Sequence, residues 1–371
     1  MRILQVANFV TPTSGGQRVA LDELAIRYVA AGHYCGRLVP ADVATVSWSG
    51  PVELRTVVGP RLPLSGGYRV AVSRTRVEDA VAEFAPDVIE LSDRTTLAWL
   101  PAWAEARGIP TVHFTHESVE RVIADRSAVL RLGTPVVRRW RLDVAASCSA
   151  VVAASNWAAA EFEGLVDDLQ VVRLGVDRDI FNPAAGVECD DEPYVLFAGR
   201  LSMEKRPEAV VDAVRLLTES GQTVRLVVVG TGPLEDRIRR AAVGLDVTFL
   251  GFVPDRRVLA RLMARASVVA APSPFETFGL TVAESLSSGT PVVVSETSAA
   301  VELLDRGCGV AVPPTAEGVA AGINHVLGWD RDVTRAACVA RSEIFSWDAA
   351  AKCMLAVFER VCMRRNVIEA A

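Results

Sequence analysis

The 371-residue sequence predicts an α/β protein built as two Rossmann-like, doubly wound domains facing across a cleft. Three observations lead there. Short apolar runs alternate with longer amphipathic stretches, and the series occurs twice. Many of the apolar runs are continuous rather than alternating, as parallel strands buried on both faces require. Between the two series lies Gly175–Glu192, rich in Asp, Pro and Gly and without periodicity. Length agrees, since domains of roughly 100–200 residues give about two. We expect domains at 1–176 and 177–345, with a terminal segment at 346–371.

In order, the first series places strands at Ile3–Ala7, Cys35–Val39, Asp87–Leu91, Pro110–Phe114, Ala150–Ala154 and Gln170–Arg173. Helical stretches between them include Gln17–Ala31, Thr95–Arg107 and Ser155–Gly164. The second series places strands at Tyr194–Ala198, Val224–Val229, Val247–Leu250, Ser267–Ala271, Pro291–Val294 and Gly309–Val312. Trp347–Val361 reads as a final helix.

Composition narrows the function. Half the residues are hydrophobic and 23% are charged, which excludes a disordered or disulfide-stapled chain. The net charge of -6 argues against nucleic acid as a partner. Seven cysteines, odd in number and without a CxxC, suggest reduced thiols rather than a zinc site or a disulfide framework. The longest uncharged run, Val144–Ala160, is broken by serines and an asparagine and is unsuited to spanning a membrane. The N-terminus enters an apolar run at once, without a signal-peptide layout. A cytoplasmic protein is the simplest expectation. Of 39 basic residues only Lys205 and Lys352 are lysines, so a lysine kept where arginine could serve draws interest.

Open parallel sheets bind ligands beyond the carboxyl ends of their strands. The loop Asn8–Gln17 carries Gly15 and Gly16 before a helix, where backbone amides can approach an anion, although an ordinary glycine turn looks the same. After Tyr194–Ala198 come Arg200 and Lys205, a guanidinium fork and a point charge that suit a diphosphate; solvated surface charges are the alternative. After Ser267–Ala271 comes Pro272–Glu284, with Glu276 in a loop and Glu284 in the helix that follows. Their separation, on the order of 10 Å from helical rise, exceeds the ~5–5.5 Å of a retaining glycosidase pair. It matches the reach from sugar to ribose in a sugar nucleotide, with the amides of Phe278, Gly279 and Leu280 facing the diphosphate.

His113 and His116 follow a first-domain strand. Strand phase turns His113 into packing, so His116 is the candidate to face substrate. Asp177-Arg178-Asp179 and Asp330-Arg331-Asp332 read as turns and caps, and no metal site is expected. Arg126, Arg131, Arg138, Arg139 and Arg141, interleaved with apolar residues, could rest on an anionic membrane surface or form a solvated face.

Arg200 with Lys205, the Glu276-x7-Glu284 spacing and Ser288–Val293 together resemble the family 4 retaining glycosyltransferases of the GT-B fold, over essentially the whole chain. More narrowly, several segments resemble the PimC-type, GDP-mannose-dependent phosphatidylinositol mannoside α-mannosyltransferases. These are Gln5–Phe9, Ser14–Gly16, Gly66–Arg69, Leu91–Arg94, His116-Glu117, Phe275–Gly279 and Phe345–Trp347. The resemblance implies mannosyl transfer from GDP-mannose to a lipid or glycolipid acceptor, without a metal or other cofactor; a peripheral place at the inner face of the plasma membrane rests on the Arg126–Arg141 stretch alone. It implies that His116, Glu276, Arg200 and Lys205 act at the reacting centre. Donor contacts would come from Gly16, Arg200, Lys205, Gly230, Val253, Glu276, Phe278, Gly279, Leu280 and Glu284. Tyr68, Arg69, Asp93 and Arg94 become acceptor candidates, with structural hydrogen bonding as the other reading. The final helix would cross back to the first domain. A transferase with another donor or acceptor, a sugar-nucleotide epimerase of the same fold, and a non-catalytic nucleotide-binding module are the competing readings.

Overall fold

The computed structural model describes residues 1–11, 15–62, 67–93, 95–115, 134–186 and 193–369. The chain divides into two compact units, Met1–Arg173 with Trp347–Ala371, and Leu174–Ser346.

The first unit runs β1 (Arg2–Val6), α1 (Gly16–Ala30), β2 (Tyr34–Ala41), β3 (Val46–Ser49), β4 (Val52–Val58), α2 (Arg74–Phe84), β5 (Val88–Leu91), α3 (Leu100–Glu105), β6 (Thr111–Thr115), α4 (Thr134–Ser147), β7 (Ala150–Ala153), α5 (Asn156–Ala159) and β8 (Leu169–Val171). Its sheet order is β3-β4-β2-β1-β5-β6-β7-β8, parallel except for β3. β5 and β7 are buried along their whole length; β7 (AVVA) is accordingly apolar throughout, whereas β5 (VIEL) carries buried Glu90, held by Gln5 and Tyr28.

The β3–β4 hairpin and α2 are findings beyond the sequence expectations. β3 (VSWS) is exposed at all four positions and β4 (VELRTVV) mixes charge with valine, so neither carries a buried-strand signature. Helix also covers less than expected after β5 and β7, because α3 starts only at Leu100, with Pro101 in its first turn.

The second unit runs β9 (Tyr194–Ala198), α6 (Pro207–Glu219), β10 (Arg225–Val229), α7 (Glu235–Ala241), β11 (Val247–Gly251), α8 (Arg256–Arg265), β12 (Val268–Ala271), α9 (Leu280–Ser287), β13 (Val292–Ser295), β14 (Gly309–Val312), α10 (Ala316–Leu327) and α11 (Arg331–Ser342). All six strands pair in parallel, in the order β11-β10-β9-β12-β13-β14. Chain order therefore reverses direction between β9 and β12, the point where open α/β sheets bind ligands. Val195, Phe197, Val210, Leu226, Val268 and Val293 form part of one core beneath these strand ends. Each such full burial contributes about 1.5–3 kcal/mol relative to exposure.

The last helix, α12 (Trp347–Glu369), belongs to the first unit, where Phe358 packs edge-on against Tyr28 of α1. Arg360 and Arg364 of α12 hold Asp168, with contacts of 2.9–3.0 Å. Among the described residues no helix is long and apolar enough to cross a membrane.

Candidate active site

In the second unit the four loops at the carboxyl ends of β11, β10, β9 and β12 carry the residues singled out above. The loop after β9 passes Arg200, makes a 3-10 turn at Met203–Lys205, and enters α6 through Arg206 in the left-handed region (φ 53°). Pro207 then starts the helix with its preset φ. This sharp exit places Lys205 at the mouth of the sheet rather than on the helix.

The loop after β12 is tied to it. Ser273 Oγ donates to the Glu204 carbonyl at 2.8 Å, and the Ala299 amide donates to the Glu276 carbonyl at 3.0 Å. With both backbones held, Lys205 Nζ forms an ion pair with Glu276 Oε1. Their side chains keep 34% and 20% exposure, so the pair faces solvent and is open to exchange partners. These are the two loops that flank the reversal between β9 and β12.

α9 begins at Gly279, whose φ of +99° favours glycine. Among the described residues no side chain caps this helix. Its first-turn amides therefore point out of the helix as anion donors. Phe278 is buried against Phe345, with ring centres 5.9 Å apart, and anchors the helix start. One turn on, Glu284 is buried and its Oε1 lies 3.2 Å from Arg256 Nη2. Ser288 Oγ donates to the Glu284 carbonyl at 2.8 Å.

Gly230 follows β10 with φ +126°, and its amide donates to the Gly251 carbonyl at 2.7 Å. A β-carbon there would stand 1.9 Å from the Gly199 carbonyl oxygen. The β9, β10 and β11 loops thus pack backbone to backbone, and glycine is the residue that allows it. Val253 is half-buried on the β11 loop, beside exposed Phe252. The second unit accordingly brings Arg200, Lys205, Gly230, Val253, Glu276, Phe278, Gly279, Leu280 and Glu284 onto one end of its sheet.

In the first unit, Gly16 opens α1. His113 is buried on β6, with Nδ1 3.0 Å from the Leu91 carbonyl oxygen, where strand phase puts it. His116, Arg94, Arg126 and Arg131 lie outside the described residues. Arg69 pairs with Asp42 and donates to the Gly59 carbonyl at 2.5 Å. Asp93 is buried and accepts from Thr95 N, Thr95 Oγ1 and Leu97 N at 2.7–3.1 Å. Burial raises the Asp93 carboxyl above its usual range, against the pull of those donors. Both residues hold their own loops together, while Tyr68 stacks edge-on with Phe9 at 6.0 Å. On α4, Arg138 and Arg139 are exposed beside exposed Val136 and Leu142; Arg139 also pairs with Asp143 at 2.8 Å. Asp177 and Asp330 accept backbone amides, at a turn and at the start of α11 respectively.

Sequence reasoning missed Arg256. It is one arginine among 37, and its only local signal is its place just after the loop that follows β11.

Comparison with known proteins gives a consistent picture. A family model described as Glycosyltransferase Family 4 matches residues 14–180, and one described as Glycosyl transferases group 1 matches residues 192–328. The chain is 36% identical over 366 residues to the GDP-mannose-dependent alpha-(1-6)-phosphatidylinositol dimannoside mannosyltransferase of Mycobacterium tuberculosis, covering 96% of this chain and 95% of that one. It is 33% identical over 301 residues to the D-inositol 3-phosphate glycosyltransferase of Xylanimonas cellulosilytica, covering 72% of this chain and 70% of the relative. Among solved structures, sucrose-phosphate synthase of Thermosynechococcus elongatus superposes with a TM-score of 0.79 at 21% identity, over 100% of both chains. The Anabaena HepE protein in complex with UDP and glucose gives 0.73 at 20% identity, over 97% of this chain and 100% of that one.

Proposed function

Because this chain belongs to glycosyltransferase family 4 and has the GT-B fold, we propose that it moves mannose from GDP-mannose to a phosphatidylinositol mannoside-type glycolipid, retaining the anomeric configuration and using no metal. The name of the mycobacterial relative, matched along almost the whole chain, supports this donor and acceptor. The observation that carries the reading is the pairing of Lys205 with Glu276 at the reversal point of the second sheet. A cation and a carboxylate held together by their loops are a preformed set for a substrate with diphosphate on one side and sugar hydroxyls on the other.

In this reading Lys205 and Arg200 take the diphosphate, helped by the amides at the start of α9. Glu276 accepts from the sugar hydroxyls, and Glu284 accepts from the ribose. Gly230 and Val253 border the base. Gly16 and His116 are the candidates from the first unit. The acceptor hydroxyl oxygen bonds to the anomeric carbon as the bond to the diphosphate oxygen breaks, and that oxygen takes the hydroxyl proton. The protein's part is to position the groups and neutralise the leaving diphosphate. Exposed Arg138 and Arg139, with Val136 and Leu142, would set α4 on an anionic bilayer. Charge reversal at both arginines should then weaken binding to anionic liposomes, and unchanged binding would refute that part.

The test of function is transfer of labelled mannose from GDP-mannose to phosphatidylinositol mono- and dimannoside, with UDP-glucose and a soluble inositol phosphate in parallel. A lipid product made only with GDP-mannose, and lost in Glu276→Ala, is expected. Nucleotide binding without lipid product would refute the acceptor assignment.

A further inference from the structure

We infer that Ser273 is a positioning residue for sugar transfer, its hydroxyl registering the Lys205 loop against the Glu276 loop; this rests on the reading of Lys205 and Glu276 as groups of the reacting centre. Ser273 stands two residues past β12 and is 3% exposed. Its Oγ donates to the Glu204 carbonyl at 2.8 Å and accepts the Phe275 amide at 3.4 Å. A serine hydroxyl can do both at once, since it carries one donor proton and two lone pairs. Glu204 directly precedes Lys205, and Phe275 directly precedes Glu276. One hydroxyl therefore joins the backbone beside each member of the ion pair, across 69 residues of sequence.

The ion pair alone is a weak source of this register. Lys205 and Glu276 are partly open to solvent, and a pair so placed adds little rigidity. A lysine ammonium sits on a flexible four-carbon stem, so its reach is set by the backbone that launches it. Inside its own turn the Lys205 amide donates to the Ser202 carbonyl at 3.1 Å. Ser273 holds the carbonyl of the peptide unit just before it, and that bond runs from the one loop to the other. Without the hydroxyl both members of the pair remain, but their loops can shift against each other. A misplacement on the order of 1 Å at a reacting centre costs about a hundredfold in rate.

The experiment measures kcat and KM for labelled mannose transfer from GDP-mannose to phosphatidylinositol dimannoside by the full-length protein, with Tm on the same preparations. Ser273→Ala should lower kcat by about ten- to hundredfold and leave KM for GDP-mannose within ~threefold, because Arg200 and the amides at the start of α9 still hold the diphosphate in the ground state. Ser273→Thr, which keeps the hydroxyl, should recover most of the turnover. Ser273→Cys fills the same space with a weak donor and should fall between the two, which keeps the test open if the alanine variant does not fold. The double variant S273A/K205A should be no slower than K205A alone. Wild-type turnover in Ser273→Ala, or the full loss repeated on top of K205A, would overturn the role of Ser273. K205A turning over like the wild type would overturn the reading of the reacting centre, and the role of Ser273 with it. A wild type that makes no product from this donor and acceptor would refute the proposed function on which that role rests.

Discussion

Glu276→Gln separates a reacting-centre role from a structural one, because the two predict effects of very different size. The substitution keeps the side-chain shape and the Ala299-to-Glu276 backbone bond, and removes only the negative charge that faces Lys205. At 34% and 20% exposure the ion pair is partly open to solvent, and solvent-facing pairs contribute about 0–1 kcal/mol. For a unit of this size, about 1 kcal/mol moves Tm by roughly 2–4 °C. A group that stabilises the transition state electrostatically contributes about 2.7–4 kcal/mol, or 10²–10³ in kcat. Removing the carboxylate charge beside the Lys205 ammonium should leave GDP affinity unchanged or raise it. The assay is kcat for labelled mannose transfer, with GDP affinity by calorimetry and Tm by scanning fluorimetry on the same preparation. Loss of turnover with Tm within ~4 °C and GDP binding intact is the expected result. A fall in GDP affinity parallel to kcat, or a Tm drop beyond ~10 °C, would refute the reasoning.

Further outcomes follow from the packing. Gly230→Ala should cost at least ~3 kcal/mol in urea unfolding, because its methyl would stand 1.9 Å from the Gly199 oxygen at φ +126°. Gly244→Ala, also at positive φ but with nothing within 4 Å, should cost only ~1 kcal/mol; equal effects would show that the Gly199–Gly230 approach is not rigid. Asp168 is pushed up by burial but pulled further down by Arg360, Gln170 and Arg364, so its carboxyl sits below its ordinary value. Its stabilising contribution is therefore complete above the unfolded pKa of ~3.9 and is lost as pH falls through the lower folded value, and exchange of α12 amides should accelerate only in that acid range. Glu90, buried on β5, is raised by that burial to about 7, against Gln5, Tyr28 and Arg37. Stability from this group is complete below the unfolded pKa of ~4.3 and fades as pH rises through about 7. Glu90→Gln should thus unfold at a higher temperature than wild type at pH 8 and at a similar one at pH 5. A gap of the same size at both pH values would overturn that account.

Local signals made the two parallel α/β units legible. A strand buried on both faces is mostly apolar, so β7, β9 and β13 announce themselves in a few consecutive residues, and β5 does so around its one buried carboxylate, Glu90. The loops at the strand ends were equally readable, since a scarce lysine, a helix-opening glycine and two carboxylates stand out by type and spacing. The hairpin of β3 and β4 was not, because the solvated edge strand β3 needs no apolar run and β4, paired on both sides, mixes buried charge with valine. Pairing also lay beyond local reading. Lys205 meets Glu276 from 71 residues away, Arg256 meets Glu284 from 28, and Arg360 reaches Asp168 across 192. Residue type and spacing determine which groups are available at a strand end. Which of those groups touch depends on the order of strands in the sheet and on the helices packed against it, and long-range packing alone decides that.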